Sequence, residues 1–237
     1  LRFASGIIGE NVQEGIELII RSADCTDIEM NHAVLFAIGN LIIERIPILV
    51  EYRHRIIEII DNACQYLFNY ILTYDDSNDN EDQEAALFNY AIRGFTDTLS
   101  IMKWIFKNFN ELSPESPSEW MITILYFMTA PYPELQARSI SAGMYGTAMI
   151  MRVNQVDQPP EYFKRVVELF GSESPKVVGK CFAAFDYLLK VGLPIDEEFT
   201  NAAIQAAFSA LEGSLPFQSS KTFDFHSSHH LFKFFKT

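Results

Sequence analysis

Residues 75–84 hold the densest set of ionisable side chains in the chain and are called the acidic run below. The stretch reads Asp-Asp-Ser-Asn-Asp-Asn-Glu-Asp-Gln-Glu and contains no cation. Its carboxylates belong to Asp75, Asp76, Asp79, Glu81, Asp82 and Glu84. A block of like charges repels itself, so one interpretation is a solvated connection between helices. The other interpretation is an electrostatic clamp that binds a basic partner.

The spacing of the acidic run also suggests a calcium-binding loop. An EF-hand binds the ion through side chains at positions 1, 3 and 5, with glycine at position 6 and glutamate at position 12. Asp75, Ser77 and Asp79 fit the first three positions. Asn80 replaces the glycine and Ala86 replaces the glutamate. We therefore expect no calcium site in this stretch.

Three histidines near the end of the sequence have a spacing that a metal site on a helix would need. His226 and His230 are one helical turn apart, and His229 lies between them. No nearby Cys or Glu completes a ligand set, so we expect a polar tail and no metal. The surrounding segment, residues 213–237, is rich in Phe and Lys. Three interpretations stay open: an incomplete last helix, a basic helix that binds a partner, and an error in the coding sequence.

The sequence contains no recognisable catalytic set. The other two histidines, His32 and His54, belong to no Ser-His-Asp or Cys-His pattern. Gly143 and Gly146 are too sparse for a phosphate-binding loop, so we interpret them as positions of close helix packing. We expect no catalytic residues, no cofactor and no enzymatic activity.

Charge and cysteine content limit the class of protein. The 237 residues carry a net charge of −13, which argues against nucleic-acid binding, because that function needs a basic face, and favours basic protein partners. Cys25, Cys64 and Cys181 lie far apart within helical patterns, which predicts reduced thiols in an intracellular protein. The longest apolar run, residues 121–130, is too short to span a bilayer.

The hydrophobic pattern predicts helices almost throughout and almost no strands. The predicted helices cover residues 2–10, 12–23, a segment from the N-cap Asp27 towards Pro47, 49–74, 84–109 as one helix or two, 118–129, 134–153, 161–170, 176–191 and 196–211. The side chains expected on buried faces include Ile16, Leu18, Ile19, Ile20, Met30, Val34, Ile38, Leu41, Ile56, Ile60, Ala63, Leu67 and Ile71. Because Leu1 opens directly into apolar sequence, we expect the first helix to be cut and the chain to be part of a longer protein.

The predicted helices pair as an outer helix followed by an inner one. The pairs are 49–74 with 84–99, 118–129 with 134–153, and 161–170 with 176–191. Neither helix of a pair can bury its apolar face alone, so neighbouring pairs must stack. The predicted fold is all-α: an α-solenoid of about five helix pairs over residues 1–212, with a closed helical bundle as the alternative.

A small residue between apolar ones recurs along the inner helices. Ala37, Ala91, Ala142 and Ala184 are the central residues of four copies, and they lie 54, 51 and 42 positions apart. Self-similarity at this period is typical of helical repeat arrays. Arg138, Lys180 and Asp186 lie within the predicted inner helices, where we expect polar contacts between adjacent repeats.

Two of these copies carry a turn and a basic residue before the alanine. The segments 133–146, which reads Pro-Glu-Leu-Gln-Ala-Arg-x3-Ala-x3-Gly, and 174–184, which reads Ser-Pro-Lys-Val-Val-Gly-Lys-x3-Ala, resemble the second helix of a HEAT repeat. Residues 33–42 are similar to the corresponding helix of HEAT and armadillo proteins. The resemblance covers residues 27–211, and the first two copies carry Ala33 and Leu87 at the basic position. It implies a HEAT-like right-handed superhelix that is a fragment of a longer array.

The resemblance also implies a function. HEAT arrays are protein-interaction scaffolds, and the acidic run is similar to the acidic loop of importin-β-type nuclear transport receptors. That likeness implies basic cargo, a Ran-like GTPase and Phe-Gly nucleoporins as partners, and a location in the cytoplasm or the nucleus. The first alternative is a structural subunit of a large assembly, such as a phosphatase scaffold, a vesicle-coat adaptor or a proteasome activator. The second is an all-α enzyme or ligand-binding bundle.

Overall fold

The computed structural model describes residues 2–23, 27–44, 46–74, 81–108, 110–115, 117–154, 161–193, 195 and 197–211. Within these ranges every regular element is a helix and no strand occurs, which confirms the all-α prediction. The chain divides into two compact units, Leu1–Glu115 and Ser116–Thr237. The segment 213–237, with His226, His229 and His230, lies outside the described residues.

The described part of the first unit contains four α-helices. They are α1 (Arg2–Ser22), α2 (Ile28–Ile43), α3 (Arg53–Thr73) and α4 (Glu81–Asn108). Short 3-10 helices, Pro47–Tyr52 and Asn110–Leu112, precede α3 and follow α4. The non-helical backbone of Asn11 (φ −138°, ψ 45°) kinks α1 between the two helices that the sequence predicts there.

Asp27 determines where α2 begins. Its Oδ1 accepts hydrogen bonds from the backbone N–H groups of Glu29 at 2.8 Å and Met30 at 3.1 Å. These donors have no partner within the helix, so the carboxylate stabilises the first turn. The N-cap prediction is confirmed.

Burial in α1 and α2 agrees only partly with the predicted faces. Ile16 is buried, but Leu18 of the same predicted face is 66% exposed. In α2 the residues Val34, Ile38 and Leu41 are buried as predicted. Met30 is 43% exposed, so its predicted burial is wrong. Ile28 and Asn31 form the buried side of that first turn, which directs Met30 away from the core.

Helices α3 and α4 follow the sequence pattern closely. The predicted stripe of α3 is buried throughout: Ile56, Ile60, Ala63, Leu67 and Ile71. Helix α4 is a single helix of 28 residues, which answers the open question of one helix or two. Its described part begins at Glu81, three residues before the predicted start.

Helix α2 packs beside α4 at two glycines. A Cβ atom on Gly94 would lie 3.8 Å from the Cα of His32, and one on Gly39 would lie 3.4 Å from the Cγ1 of Ile101. Both contacts join residues 62 positions apart, so the helices run parallel and in register. This separation differs by eight positions from the 54 that separate Ala37 and Ala91 in the sequence.

Five α-helices form the described part of the second unit. They are α5 (Pro117–Met128), α6 (Pro133–Asn154), α7 (Glu161–Leu169), α8 (Pro175–Lys190) and α9 (Glu197–Leu211). Three of them begin at a proline, one residue before the predicted start. Proline suits the first helical position because its missing N–H would have no intrahelical partner there.

Helix α6 packs beside α8, and the two helices run parallel. Near the start of both helices the Lys176 ammonium pairs with the Glu134 carboxylate. Further along, the rings of Tyr145 and Tyr187 lie with their centroids 4.5 Å apart. Both contacts join residues 42 positions apart, which is also the sequence separation of Ala142 and Ala184.

Alternate helices pack on each other in both units. In the first unit α2 contacts α4 and α1 contacts α3. In the second unit α6 contacts α8, α5 contacts α7, and α7 contacts α9. Consecutive helices also contact each other within the three predicted outer–inner pairs. Contacts between alternate helices and contacts between consecutive helices therefore both occur within each unit.

The core of the second unit depends on the close approach of α5, α6 and α7 at Gly143. Tyr162 is fully buried, and its hydroxyl donates a hydrogen bond to the Ile140 carbonyl at 2.7 Å. A Cβ atom on Gly143 would lie 2.7 Å from the Cδ2 of Tyr162 and 3.2 Å from the Cγ2 of Ile124. Both neighbours are packed in the core, so neither can move freely. The predicted packing role of Gly143 is confirmed.

We expect Gly143→Ala to lower the free energy of unfolding. Alanine improves helix propensity by up to about 1 kcal/mol, but overpacking a filled core costs about 1–3 kcal/mol. The measurement is urea unfolding followed by circular dichroism.

Gly39→Ala in α2 is the matched control, because its Cβ would meet only a side chain at ordinary contact distance. We expect that variant to be neutral or slightly stabilised. Equal stability of the Gly143 variant and the wild-type chain would contradict the close approach.

Candidate partner-binding surfaces

The acidic run connects α3 to α4. Three of its carboxylates, Asp75, Asp76 and Asp79, lie outside the described residues. The other three, Glu81, Asp82 and Glu84, belong to the first turn of α4. Part of the run is therefore helical rather than a loop.

Two aromatic rings on either side of the acidic run in the sequence contact each other. Tyr74, which follows the last residue of α3, stacks on Phe88 of α4 with ring centroids 4.1 Å apart and an interplanar angle of 26°. Both side chains are half-buried. Because stacked rings of this kind stabilise their arrangement, the pair joins the residue after α3 to the N-terminal part of α4. Sequence reasoning missed this pair, although an aromatic residue on each side of a polar stretch is a visible signal.

Charge is arranged unevenly along α4. Its first turn is acidic, and its C-terminal part carries Lys103 and Lys107 near the ring of Trp104. The two ammonium groups lie 5.9 Å and 5.5 Å from the ring centroid, within the range of cation–π attraction. Cations near the C-terminus of a helix interact favourably with the helix dipole.

A histidine joins α2 to α4. The Nε2 atom of His32 lies 3.3 Å from the Oδ2 atom of Asp97, and the Tyr90 ring centroid lies 6.0 Å from that of the imidazole. All three side chains are half-buried. The group links neighbouring even-numbered helices by a polar contact, as the sequence predicts for inner helices, but through residues that the prediction did not name.

Two cysteines lie in the hydrophobic core. Cys64 and Cys181 are free and buried. Burial raises the pKa of both thiols well above the ordinary value. Because the thiolate is the reactive species, neither sulfur is an effective nucleophile at neutral pH.

The second unit has its own charged surface, formed by α6 and α8 and called the α6–α8 face below. The Glu134 carboxylate forms ion pairs with two cations: the Lys176 ammonium on α8 and, at 3.3 Å, the Arg138 guanidinium on its own helix. At the end of α8, Lys190 pairs with Asp186, one turn earlier, at 2.6 Å. The other oxygen of Asp186 is buried and has no hydrogen-bond partner.

The polar contacts between α6 and α8 differ from the predicted ones. Arg138 and Asp186 make their ion pairs within their own helices. The bridge between the two helices comes from Lys176, which the prediction did not include. Lys176 reaches Glu134 because each is the second residue of its helix and the helices are in register.

Neither a metal site nor a membrane-spanning helix is found in the described ranges. No group of three or more His, Cys, Asp or Glu side chains is placed to hold a metal ion there. None of the helices in those ranges is both long and apolar enough to cross a membrane. Comparisons of the chain with protein-family models, curated proteins and solved structures give no match.

The Glu134 ion pairs make a pH-dependent contribution to stability. Burial alone would raise the pKa of this carboxyl, but Lys176 and Arg138 outweigh that effect and hold the pKa below its usual value. A carboxyl with a lowered folded-state pKa stabilises the fold above its unfolded pKa of about 4.3, and that stability is lost as pH falls through the folded-state pKa.

We expect Glu134→Gln to reduce the free energy of unfolding at pH 7 by up to about 1 kcal/mol, a small effect because the pair is exposed. The difference from wild type should shrink as pH falls below about 4. Urea unfolding at pH 7 and below about pH 4 measures this difference in the free energy of unfolding. The control is Glu173→Gln, which changes an exposed carboxylate between α7 and α8. A constant difference at all pH values would show that the charge of Glu134 is not responsible.

Proposed function

We propose that the chain is a protein-interaction scaffold of HEAT-like helical repeats, in which the acidic run binds a basic segment of a partner. The observation that carries the proposal is the register of α6 and α8. Two contacts, Glu134–Lys176 and Tyr145–Tyr187, share the 42-residue separation of the recurring alanines. A fixed sequence offset between neighbouring helices is what stacked repeats require, because each repeat contacts mainly its neighbours.

The layered packing within each unit supports the same proposal. Helices α2 and α4 are parallel and in register, like α6 and α8. Each odd-numbered helix contacts the next odd-numbered helix of its own unit. A layer of outer helices and a layer of inner helices are the elements of a solenoid.

The acidic run offers two kinds of interaction to a partner. Its carboxylates attract lysine and arginine side chains, and Tyr74, which precedes the run in the sequence, forms a half-buried stack with Phe88. A cation can contact an aromatic ring while its charge meets a carboxylate, so one basic segment can use both. Charge of this kind mainly increases the rate of encounter and the specificity of binding.

A specific form of this function is an importin-β-like transport receptor fragment. Its acidic run would bind basic cargo or a Ran-like GTPase, and its outer helices would bind Phe-Gly segments in shallow apolar slots. Large exposed apolar side chains on odd-numbered helices support such slots. They are Leu18, Tyr66, Leu72, Ile122, Tyr126, Ile204 and Phe208.

The register of α6 and α8 predicts which cysteines can be cross-linked. In a Cys25→Ser background, Glu134→Cys combined with Lys176→Cys should form a disulfide under mild oxidation, because the shared 42-residue offset of the two contacts places these positions opposite each other on packed helices. Mass spectrometry of the digested protein detects the bond.

The matched control combines Glu134→Cys with Lys190→Cys. Position 190 lies about 21 Å further along α8 at 1.5 Å per residue, so no disulfide is expected. Equal cross-linking of the two pairs would contradict the register of α6 and α8, which is the main support for stacked repeats.

Neutralising the acidic run should weaken the binding of a lysine-rich peptide. We expect the variant with all six carboxylates changed to their amides to bind about tenfold more weakly at low salt, as two or more charge contacts are lost. Its affinity should also depend less on salt concentration than that of the wild type. A variant changed only at Glu81, Asp82 and Glu84 should lie between the two, measured by fluorescence anisotropy.

The control neutralises three exposed carboxylates elsewhere, Glu51, Glu115 and Glu173. This control removes three negative charges, the same number as the variant changed at Glu81, Asp82 and Glu84, but it leaves the acidic run intact. Equal weakening by both triple variants would assign the binding to overall charge and reject a site at the run.

A further inference from the structure

The cations of the second unit are concentrated on its even-numbered helices. Of the seven in the described part of this unit, five lie on α6 and α8: Arg138, Arg152, Lys176, Lys180 and Lys190. The other two, Lys164 and Arg165, lie on α7. Only two carboxylates in the same part, Glu134 and Asp186, lie on α6 or α8, while six lie elsewhere. The α6–α8 face is thus positive in a chain whose net charge is −13.

Helical spacing puts these cations on one side of the pair. On α6, Arg138, Tyr145 and Arg152 are seven residues apart, which is two turns each. On α8, Lys176 and Lys180 are one turn apart. The contacts already described at Glu134 and between the two tyrosines join these stripes across the interface.

The positive charge of the face is only partly neutralised. Glu134 is shared by Arg138 and Lys176, whose side chains are 44% and 51% exposed. Lys190 is 53% exposed beside Asp186. Exposed pairs of this kind are weak, so an incoming carboxylate can share or replace them.

We propose that the α6–α8 face binds an acidic segment of a partner protein. From Lys176 to Lys190 the face measures about 21 Å at 1.5 Å per residue, which about six residues of extended peptide would span. Carboxylates of that segment would pair with Arg138 and Lys176 at one end and with Arg152 and Lys190 at the other. Between these ends, the half-buried Tyr187 ring offers an apolar contact to the backbone or side chains of the segment.

A short acidic peptide fits this surface better than a nucleic acid does. A long polyanion would meet the negative charge of the rest of the chain, whereas a segment of six residues meets only the local face. The surface also has the opposite charge to the acidic run, so it goes beyond the function proposed above and does not depend on it.

The test measures the binding of a fluorescein-labelled peptide with six consecutive glutamates by anisotropy at low salt. The same peptide with glutamines and a ten-nucleotide thymidine oligonucleotide serve as comparisons. We expect the glutamate peptide to bind at least about tenfold more tightly than either. Arg138→Gln combined with Arg152→Gln should weaken its binding about five- to tenfold, the effect of losing two exposed charge contacts.

The matched control is Lys164→Gln combined with Arg165→Gln on α7, which removes the same charge from the same unit. It should bind the glutamate peptide within about twofold of wild type, and melting temperatures verify that both variants are folded. Equal loss in the two variants, or equal binding of the glutamine peptide, would overturn the proposal. Tighter binding of the oligonucleotide would also overturn it and would assign the face to nucleic acid.

Discussion

The structure depends on the close packing of parallel neighbouring helices. Helices α2 and α4 form one such pair, and α6 and α8 form the other. Parallel neighbours place like ends of two helix dipoles together, which is weakly unfavourable, so apolar burial must hold them. Burial of that kind needs short distances between the helix axes, and these are possible only where small residues face the neighbour.

Glycine provides that closeness in the second unit. Gly143 accommodates the Tyr162 ring between α5, α6 and α7. The Tyr162 hydroxyl then reaches the Ile140 carbonyl, so its burial leaves no polar atom without a partner. The register between helices, and therefore the order of side chains on each face, follows from these contacts.

The arrangement of charge follows from the arrangement of helices. The acidic run follows Tyr74 in the sequence, and the Tyr74 ring stacks on Phe88 of α4. The α6–α8 face collects cations from two helices that are 42 residues apart in sequence. Two oppositely charged surfaces on one chain fit a scaffold that contacts more than one partner, because each surface attracts a different kind of segment.

The sequence by itself determined the helices, the Asp27 cap, the buried stripe of α3 and the position of the acidic run. These features depend on neighbours within about one helical turn, which a periodic pattern records directly. Only the tertiary structure decided the 62-residue register of α2 and α4, the exposure of Leu18 and Met30, and the joining of Lys176 to Glu134. Those features depend on which residues of distant helices come closest, and that is set by packing across the whole interface rather than by any local pattern.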